Sequence, residues 1–339
     1  MLYGAIDLHT RRSQIRIVDE QGTVVMERRV DTSHAVLTRT FDRPAMRILL
    51  ESGTESEWVA QALEALGHDV IVADPNFAAM YGQRSRRVKT DRRDVAALAD
   101  ACRRGLYRRA HRVGAATQLR RHQLRVREHL IRMRTHTVNA LRAILRQHGG
   151  RLSLGYPETI EARLDQVTIP PAVQAIIAPL RATLRALATE MLVMDRWVRT
   201  TAAADSVTRR LMTVPGVGPV VALPYQATLD TPQRFGGDAA RASAYLGLVP
   251  REYSSGERQH KGGITKAGPP TLRCLLVQAA WAVWRRPGVA GGTLHAWVHR
   301  LAARRGIRIA IVALARRLSR ILFAIWRDDA VFTVSRAAA

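Results

Sequence analysis

Apolar and polar positions along the first hundred residues follow two alternating periods, and together they read as a fixed order of elements. Residues 3–7, Tyr-Gly-Ala-Ile-Asp, form a short apolar run that ends in an acid. Residues 13–19 alternate apolar and polar side chains, the period of a half-exposed strand. Gln21-Gly22 supplies a turn, and residues 23–30 read as a third strand, so the chain opens with an antiparallel meander. Residues 33–42 carry a helical pattern. Residues 46–51, Met-Arg-Ile-Leu-Leu-Glu, form another strand ending in an acid. Residues 56–66 are helical and stop at Gly67, a natural C-cap. Residues 70–73 make a fifth strand, closed by Asp74-Pro75, and a helix follows from Asp91. Three strands, helix, strand, helix, strand, helix predicts an α/β domain: a mixed sheet flanked by helices.

The pattern then becomes helical. Residues 117–148 hold no Pro or Gly, and Leu124, Ile131, Val138 and Leu145 recur every seven residues. Leu130, Leu141 and Ile144 widen that stripe, and Gly149-Gly150 ends it. After Pro170-Pro171, the positions Val173, Ile177, Leu180, Leu184, Leu187, Met191, Met194 and Val198 alternate steps of four and three. That is the seam of a coiled coil. Pro179 inside it predicts a kink or a delayed helix start. The two long helices read as an antiparallel hairpin, a dimerising arm, or two core helices of a bundle. The last third reads as mainly helical. The expected organisation is an α/β domain over residues 1–110, a helical coiled-coil arm over 111–204 and an all-α-like domain over 205–339.

Charge narrows the function. With 339 residues and 47% hydrophobic content, the chain can build several packed cores. Lys and Arg number 53 against 28 Asp and Glu, a formal net charge of +25. That excess is out of place in an ordinary metabolic enzyme and predicts a polyanionic partner. The cations are spread along the chain, which favours an extended nucleic-acid surface over a membrane-targeting basic tail. Most are arginines, which grip phosphate oxygens bidentately; GC-rich coding is the competing source of that bias. Cys102 and Cys274 are the only cysteines, with no spacing for zinc and no disulfide framework. The N-terminus lacks a signal-peptide apolar core, and no run is long enough for a bilayer. A cytoplasmic protein with no membrane partner is expected.

The candidate chemistry centres on Lys89-Thr90-Asp91-Arg92-Arg93-Asp94. Asp91 and Asp94 are three apart at a helix start, so they share one face, at the positive end of the dipole. Two carboxylates there repel each other, and a divalent cation resolves the conflict. Asp7 and Glu51 each close a strand, and sites in α/β sheets collect at strand ends. If those strands are neighbours, the two acids meet and the Asp91 helix closes over them. Oxygen ligands with no Cys or His cluster point to magnesium or manganese. Two such ions about 4 Å apart activate a nucleophile and stabilise a leaving oxygen on phosphate. The plain alternative is that each acid is a solvated cap.

The last third offers a second site. Gly216-Val217-Gly218 joins two helices and exposes backbone N–H groups, as in helix-hairpin-helix DNA binders, although a plain interhelical turn has the same look. Further on, a Gly-rich polar loop carries Arg251, Arg258, Lys261, Lys266 and Arg273, suited to phosphate, as Lys89 and Arg92 are beside the acids. Ser254 and Ser255 lie among those cations. A serine attacks a phosphodiester when its alkoxide and the phosphate charge are stabilised; a turn or N-cap serine is the competing role.

Taken in order, these motifs resemble the DEDD insertion-sequence transposases of the IS110 family. The resemblance rests on I-D-L-H, L-L-E-S-G-T and K-T-D-R-R-D around the acids, then on L-G-L-V-P, S-G, G-I-T-K-A-G and L-R, over roughly residues 3–104 and 205–285. It implies an RNase H-type, RuvC-like N-terminal domain in which Asp7, Glu51, Asp91 and Asp94 bind Mg2+ or Mn2+ and act on DNA. It implies that the serine before a glycine, Ser255, is the nucleophile, with Ser254 adjacent and Thr265 less favoured. It further implies a homodimer or homotetramer arranged by the helical arms, with the two sites combining across subunits, and an element-encoded guide RNA that pairs with target and donor DNA. The expected function is a transposase, a site-specific DNA recombinase. The alternatives are a RuvC-like nuclease using metal-activated water and a non-catalytic nucleic-acid scaffold.

Overall fold

The computed structural model describes residues 1–81, 90–253, 261–286 and 292–333. The chain divides into two compact units, residues 1–112 and 113–339.

The first unit runs β1 (Tyr3–Asp7), β2 (Arg12–Val18), β3 (Val24–Asp31), α1 (His34–Thr40), β4 (Arg47–Glu51), α2 (Ser56–Glu64) and β5 (Asp69–Ala73). One turn of 3-10 helix (Ala78–Tyr81) precedes α3 (Asp91–Arg104). The five strands lie in the order β3-β2-β1-β4-β5. The β1–β2 and β2–β3 pairs are antiparallel, and β1–β4 and β4–β5 are parallel. This is the mixed sheet expected from the element order. Both faces of its centre are covered, which is why β4 and β5 are nearly continuous apolar runs. On one face Ile6, Ile15, Ile17, Ile48, Leu50 and Val72 pack with Leu37 and Phe41 from the α1 end and with Val59 and Leu63 of α2. On the other, Ala5, Leu49 and Ile71 meet Val95, Leu98, Ala99 and Cys102 of α3. Burial there pushes the Cys102 thiol up to about 12.

The second unit is helical: α4 (Ala115–Gln147), α5 (Ile160–Asp165), α6 (Pro171–Ala204), α7 (Ser206–Leu211), α8 (Pro219–Leu229), α9 (Ala239–Tyr245), α10 (Pro270–Arg285), α11 (Gly292–Arg305) and α12 (Ile307–Arg327). A short antiparallel ribbon, β6 (Pro250–Glu252) with β7 (Lys261–Ile264), lies between α9 and α10. Helices α4 and α6 pair in antiparallel sense. Leu141 and Leu145 near the end of α4 cluster with Val173, Ile177 and Leu184 from the first half of α6. Arg127, early in α4, bonds Asp195, late in α6, at 2.7 Å. The predicted seam of α6 faces inward, with Val173, Ile177, Leu184, Leu187, Met191 and Val198 buried. Pro179 does not delay the helix. α6 already starts at Pro171, where a proline suits the first turn, and Pro179 sits at an exposed position.

Around α12 the remaining helices build the largest core, from Ile311, Leu314, Leu318, Leu322 and Phe323 outward to Tyr225, Leu246, Leu276 and Val298. The buried hydroxyls of Tyr225, Ser243 and Ser319 are paired, as a low-dielectric interior favours. The Tyr225 hydroxyl donates to the Ser319 carbonyl at 2.6 Å, and the Ser319 and Ser243 hydroxyls are 2.9 Å apart. Asp205 caps α7 through the Thr208 amide and receives Arg120 and Gln226. Against its burial, which raises it, these donors together hold its carboxyl below the usual value. Among the described residues no helix is long and apolar enough to cross a membrane.

Candidate active site

β1 and β4 are parallel neighbours with Ile6 opposite Leu50, so Asp7 and Glu51 emerge side by side at the same edge of the sheet. Thr90 then starts α3: its hydroxyl accepts from the Arg93 amide as an N-cap. That cap fixes Asp91 and Asp94 in the first turn, Asp94 buried and Asp91 half-exposed. The four acids form one electrostatic cluster. The Asp7 carboxyl is raised above its usual value by burial, with His9 pulling the other way and Asp94, Glu51 and Asp91 each adding to the rise. The conditional step in the sequence reading, that these strands be neighbours, is therefore met.

Three further side chains complete the cluster, and sequence reasoning singled out none of them. His9 places Nε2 3.4 Å from Asp7 Oδ2 and 3.7 Å from Asp91 Oδ1. Its signals were its place as the last residue of the I-D-L-H motif and its position two residues past Asp7, in a turn short enough to fold it back over the strand end. The Tyr81 hydroxyl donates to Glu51 Oε1 from the end of the 3-10 turn. Arg29 on β3 reaches Asp91 at 3.8 Å. Arg92 pairs with Glu27 at 3.1 Å, and a cleft beside Asp91 is lined by Gln14, Arg28, Arg29 and Thr90. Lys89 lies outside the described residues. Converging carboxylates, with Asp7 lifted by burial and then by its acidic neighbours and with arginines close by, are suited to a divalent cation and an anionic substrate.

The candidates in the last third divide differently. Gly216 has φ +79, and a Cβ there would stand 2.6 Å from the Ala279 carbonyl oxygen, so close packing on α10 requires glycine. Gly218 precedes Pro219 as the N-cap of α8 and has open space around it. The L-G-L-V-P and K-A-G motifs form a clasp. A Cβ on Gly247 would lie 2.6 Å from the Ala267 amide nitrogen, and one on Gly268 would lie 1.9 Å from the Tyr245 carbonyl oxygen. Arg273 locks the clasp by donating to the carbonyls of Leu246 and Gly268, both at 3.1 Å. Arg251 on β6 and Lys266, held at φ +58, are exposed. Lys261 begins β7. Ser254, Ser255 and Arg258 lie outside the described residues.

Two family profiles match this chain: a transposase profile of the DEDD IS110 type over residues 5–149, and "Transposase IS116/IS110/IS902 family" over residues 208–293. A Sinorhizobium fredii protein named "Putative transposase y4pF/y4sB" is 30% identical over 298 residues, covering 85% of this chain and 75% of that one. The chain belongs to the IS110/IS116/IS902 transposase family. Two other relatives span nearly all of it. The Pseudomonas aeruginosa "Probable family 20 transposase" is 29% identical over 329 residues, 94% of this chain and 95% of its own. The Coxiella burnetii "Transposase for insertion sequence element IS1111A" is 28% identical over 327 residues, 94% and 88% respectively. This IS110-family transposase is thus an enzyme of DNA strand transfer whose DEDD domain points to a divalent metal cofactor.

Proposed function

We propose that this transposase breaks and rejoins DNA with two groups of side chains: Asp7, Glu51, Asp91 and Asp94, which hold Mg2+ or Mn2+, and Ser255, which attacks the phosphodiester. The observation that carries the first part is the gathering of the acids, with Asp7 and Glu51 at the ends of paired strands and Asp91 and Asp94 in the first turn of α3; the Asp7 carboxyl, lifted by burial and then by its three acidic neighbours, accords with it. A cation that relieves this repulsion binds best where the acids are already gathered. When bound, it supplies Lewis-acid stabilisation of the phosphate and of an attacking oxygen. Tyr81 orients Glu51, and the arginines lining the cleft beside Asp91 receive the DNA backbone.

In the second part, the Ser255 hydroxyl loses its proton and its oxygen bonds to phosphorus. The bond from phosphorus to the deoxyribose oxygen breaks, and that oxygen leaves as a hydroxyl. The serine phosphodiester keeps the bond energy, so a second DNA hydroxyl reverses the step on a new partner. Arg251, Arg258, Lys261 and Lys266 hold the phosphate, the backbone amides at Gly216 and Gly218 contact DNA phosphates, and Arg273 shapes the loop. The N-terminal unit is read as an RNase H-like, RuvC-like domain. The α4–α6 pair is read as an arm that arranges a homodimer or homotetramer. An element-encoded guide RNA pairs with the DNA, so base pairing reads sequence while protein holds backbone.

The test is a denaturing gel of the transposase with labelled element-end DNA. A covalent protein–DNA species that forms with the wild type and disappears in Ser255→Ala supports the serine chemistry. Free nicked ends persisting in Ser255→Ala would assign hydrolysis by metal-activated water instead.

A further inference from the structure

We infer that His9 is a nitrogen ligand of the acidic site and biases it toward Mn2+ over Mg2+. This rests on the reading that Asp7, Glu51, Asp91 and Asp94 hold a divalent cation. What it adds is a fifth ligand of a different chemical kind and, with it, a choice of metal.

The geometry comes first. One ligand atom from each of Asp7, His9 and Asp91 lies within 4.8 Å of the others. Donor atoms at right angles around an octahedral ion, with bonds of about 2.1 Å, are about 3 Å apart. His9 Nε2 is 3.4 Å from Asp7 Oδ2 and 3.7 Å from Asp91 Oδ1, so closing on one ion asks these pairs to approach by less than about 1 Å, within the reach of side-chain rotation. The same imidazole nitrogen faces both carboxylates, which a lone ion pair does not require.

The backbone of His9 is built into the fold. Its amide donates to Ser13 Oγ at 3.4 Å, and its carbonyl accepts from Thr32 Oγ1 at 2.7 Å. Those two hydroxyls are 2.7 Å from each other, and the Thr32 amide donates to the Arg11 carbonyl at 2.9 Å. Ser13 is fully buried at the start of β2. The turn from β1 to β2 is therefore tied to the end of β3, and it aims an otherwise half-exposed side chain at the acids. Tying down the residues that carry a ligand is what positions metal sites.

The donor type sets the metal preference. Mg2+ favours an all-oxygen octahedron and parts with water reluctantly. Mn2+ is larger and lies higher on the scale of affinity for nitrogen donors. An imidazole beside carboxylates therefore gains more for Mn2+ than for Mg2+. Arg29, the arginine near Asp91, has no lone pair and stays a counter-charge.

Pulsed electron paramagnetic resonance of Mn2+ bound to the full-length protein tests this without any catalytic readout. The expected result is a nitrogen-14 coupling of a directly bound imidazole, changed by nitrogen-15 histidine labelling and absent from His9→Ala. In calorimetry, His9→Ala should lose at least about tenfold in Mn2+ affinity, the scale on which even outer-shell partners act, with Mg2+ affinity within about twofold. His9→Asp should restore binding with the preference moved toward Mg2+, which also shows that the turn still folds. Mn2+ bound in the wild type with no coupling to a directly bound nitrogen would overturn the role of His9 and leave the acidic site standing. Mn2+ that fails to bind, or binds equally well in Asp7→Asn, would remove the acidic site and this inference with it.

Discussion

Asp7 ends β1 directly beside Glu51 at the end of β4, in a parallel pairing that sets Ile6 opposite Leu50. Residues distant in sequence thus become neighbouring charges, and Asp7 bears the consequence. Its carboxyl is raised from 3.8, first by burial and then, against His9, by Asp94, Glu51 and Asp91. Folded Asp7 therefore holds its proton more tightly than unfolded Asp7. As pH rises from 3.8 through the raised folded value, the native chain must give up a proton that the unfolded chain has already lost. Stability of the metal-free protein falls across that window and stays lower above it. Asp7→Asn should be more stable than the wild type at neutral pH in chelator. Mn2+ should raise the melting temperature of the wild type by mass action and leave that of Asp7→Asn unmoved. Thermal scans at several pH values, with chelator and with Mn2+, check both signs.

The glycine clasp in the second unit makes a separate prediction. At Gly268 a methyl group would meet backbone on the far side, 1.9 Å from the Tyr245 carbonyl oxygen, and no side chain can swing away to relieve it. Gly268→Ala should destabilise the protein by at least about 2 kcal/mol, in the upper range for overpacking. Gly263→Ala, at a position with open space around it, should cost much less, and urea denaturation of the two variants separates them.

Not every arginine in so basic a chain serves DNA. Arg121 donates to the carbonyls of Ala227 and Thr228, at 2.6 and 2.9 Å, and so ties α4 to the end of α8. Arg121→Ala should lower stability by roughly 1.5–3 kcal/mol, the range for hydrogen bonds from a charged donor. Arg125, one turn along and exposed, should leave stability within about 0.5 kcal/mol when changed to Ala. Arg125→Ala should instead weaken DNA binding evenly across sequences and reduce the salt dependence by about one ion. Denaturation curves and binding at several salt concentrations separate the two roles.

The sheet and the helical pair were legible because their apolar periods are clean. Ile15 and Ile17 alternate with polar neighbours, and the α6 seam from Val173 to Val198 keeps its steps of four and three. Asp7, Glu51, Asp91 and Asp94 were legible because each sits at an element end, where a charge needs a reason. His9, Tyr81 and Arg29 were not. They lie in a turn, a 3-10 segment and an edge strand, and only the pairing of β2 with β3 and the docking of α3 bring them to the acids. The roles of Gly247 and Gly268 were hidden for the same reason: a glycine reads as a turn until another backbone is found against it. Arg273, read as a phosphate ligand, turns inward to carbonyls that no local pattern announces.

The most direct measurement is strand transfer by purified Asp94→Asn and Glu51→Gln, each shown to be folded and DNA-binding, over a titration of Mg2+ and Mn2+. The expected result is a loss of at least about a hundredfold at every metal concentration, with DNA affinity unchanged, since the acids act on the transition state and not on binding. Transfer at wild-type rates in either variant, or wild-type transfer in the presence of excess chelator, would contradict a metal-holding quartet at the ends of β1 and β4.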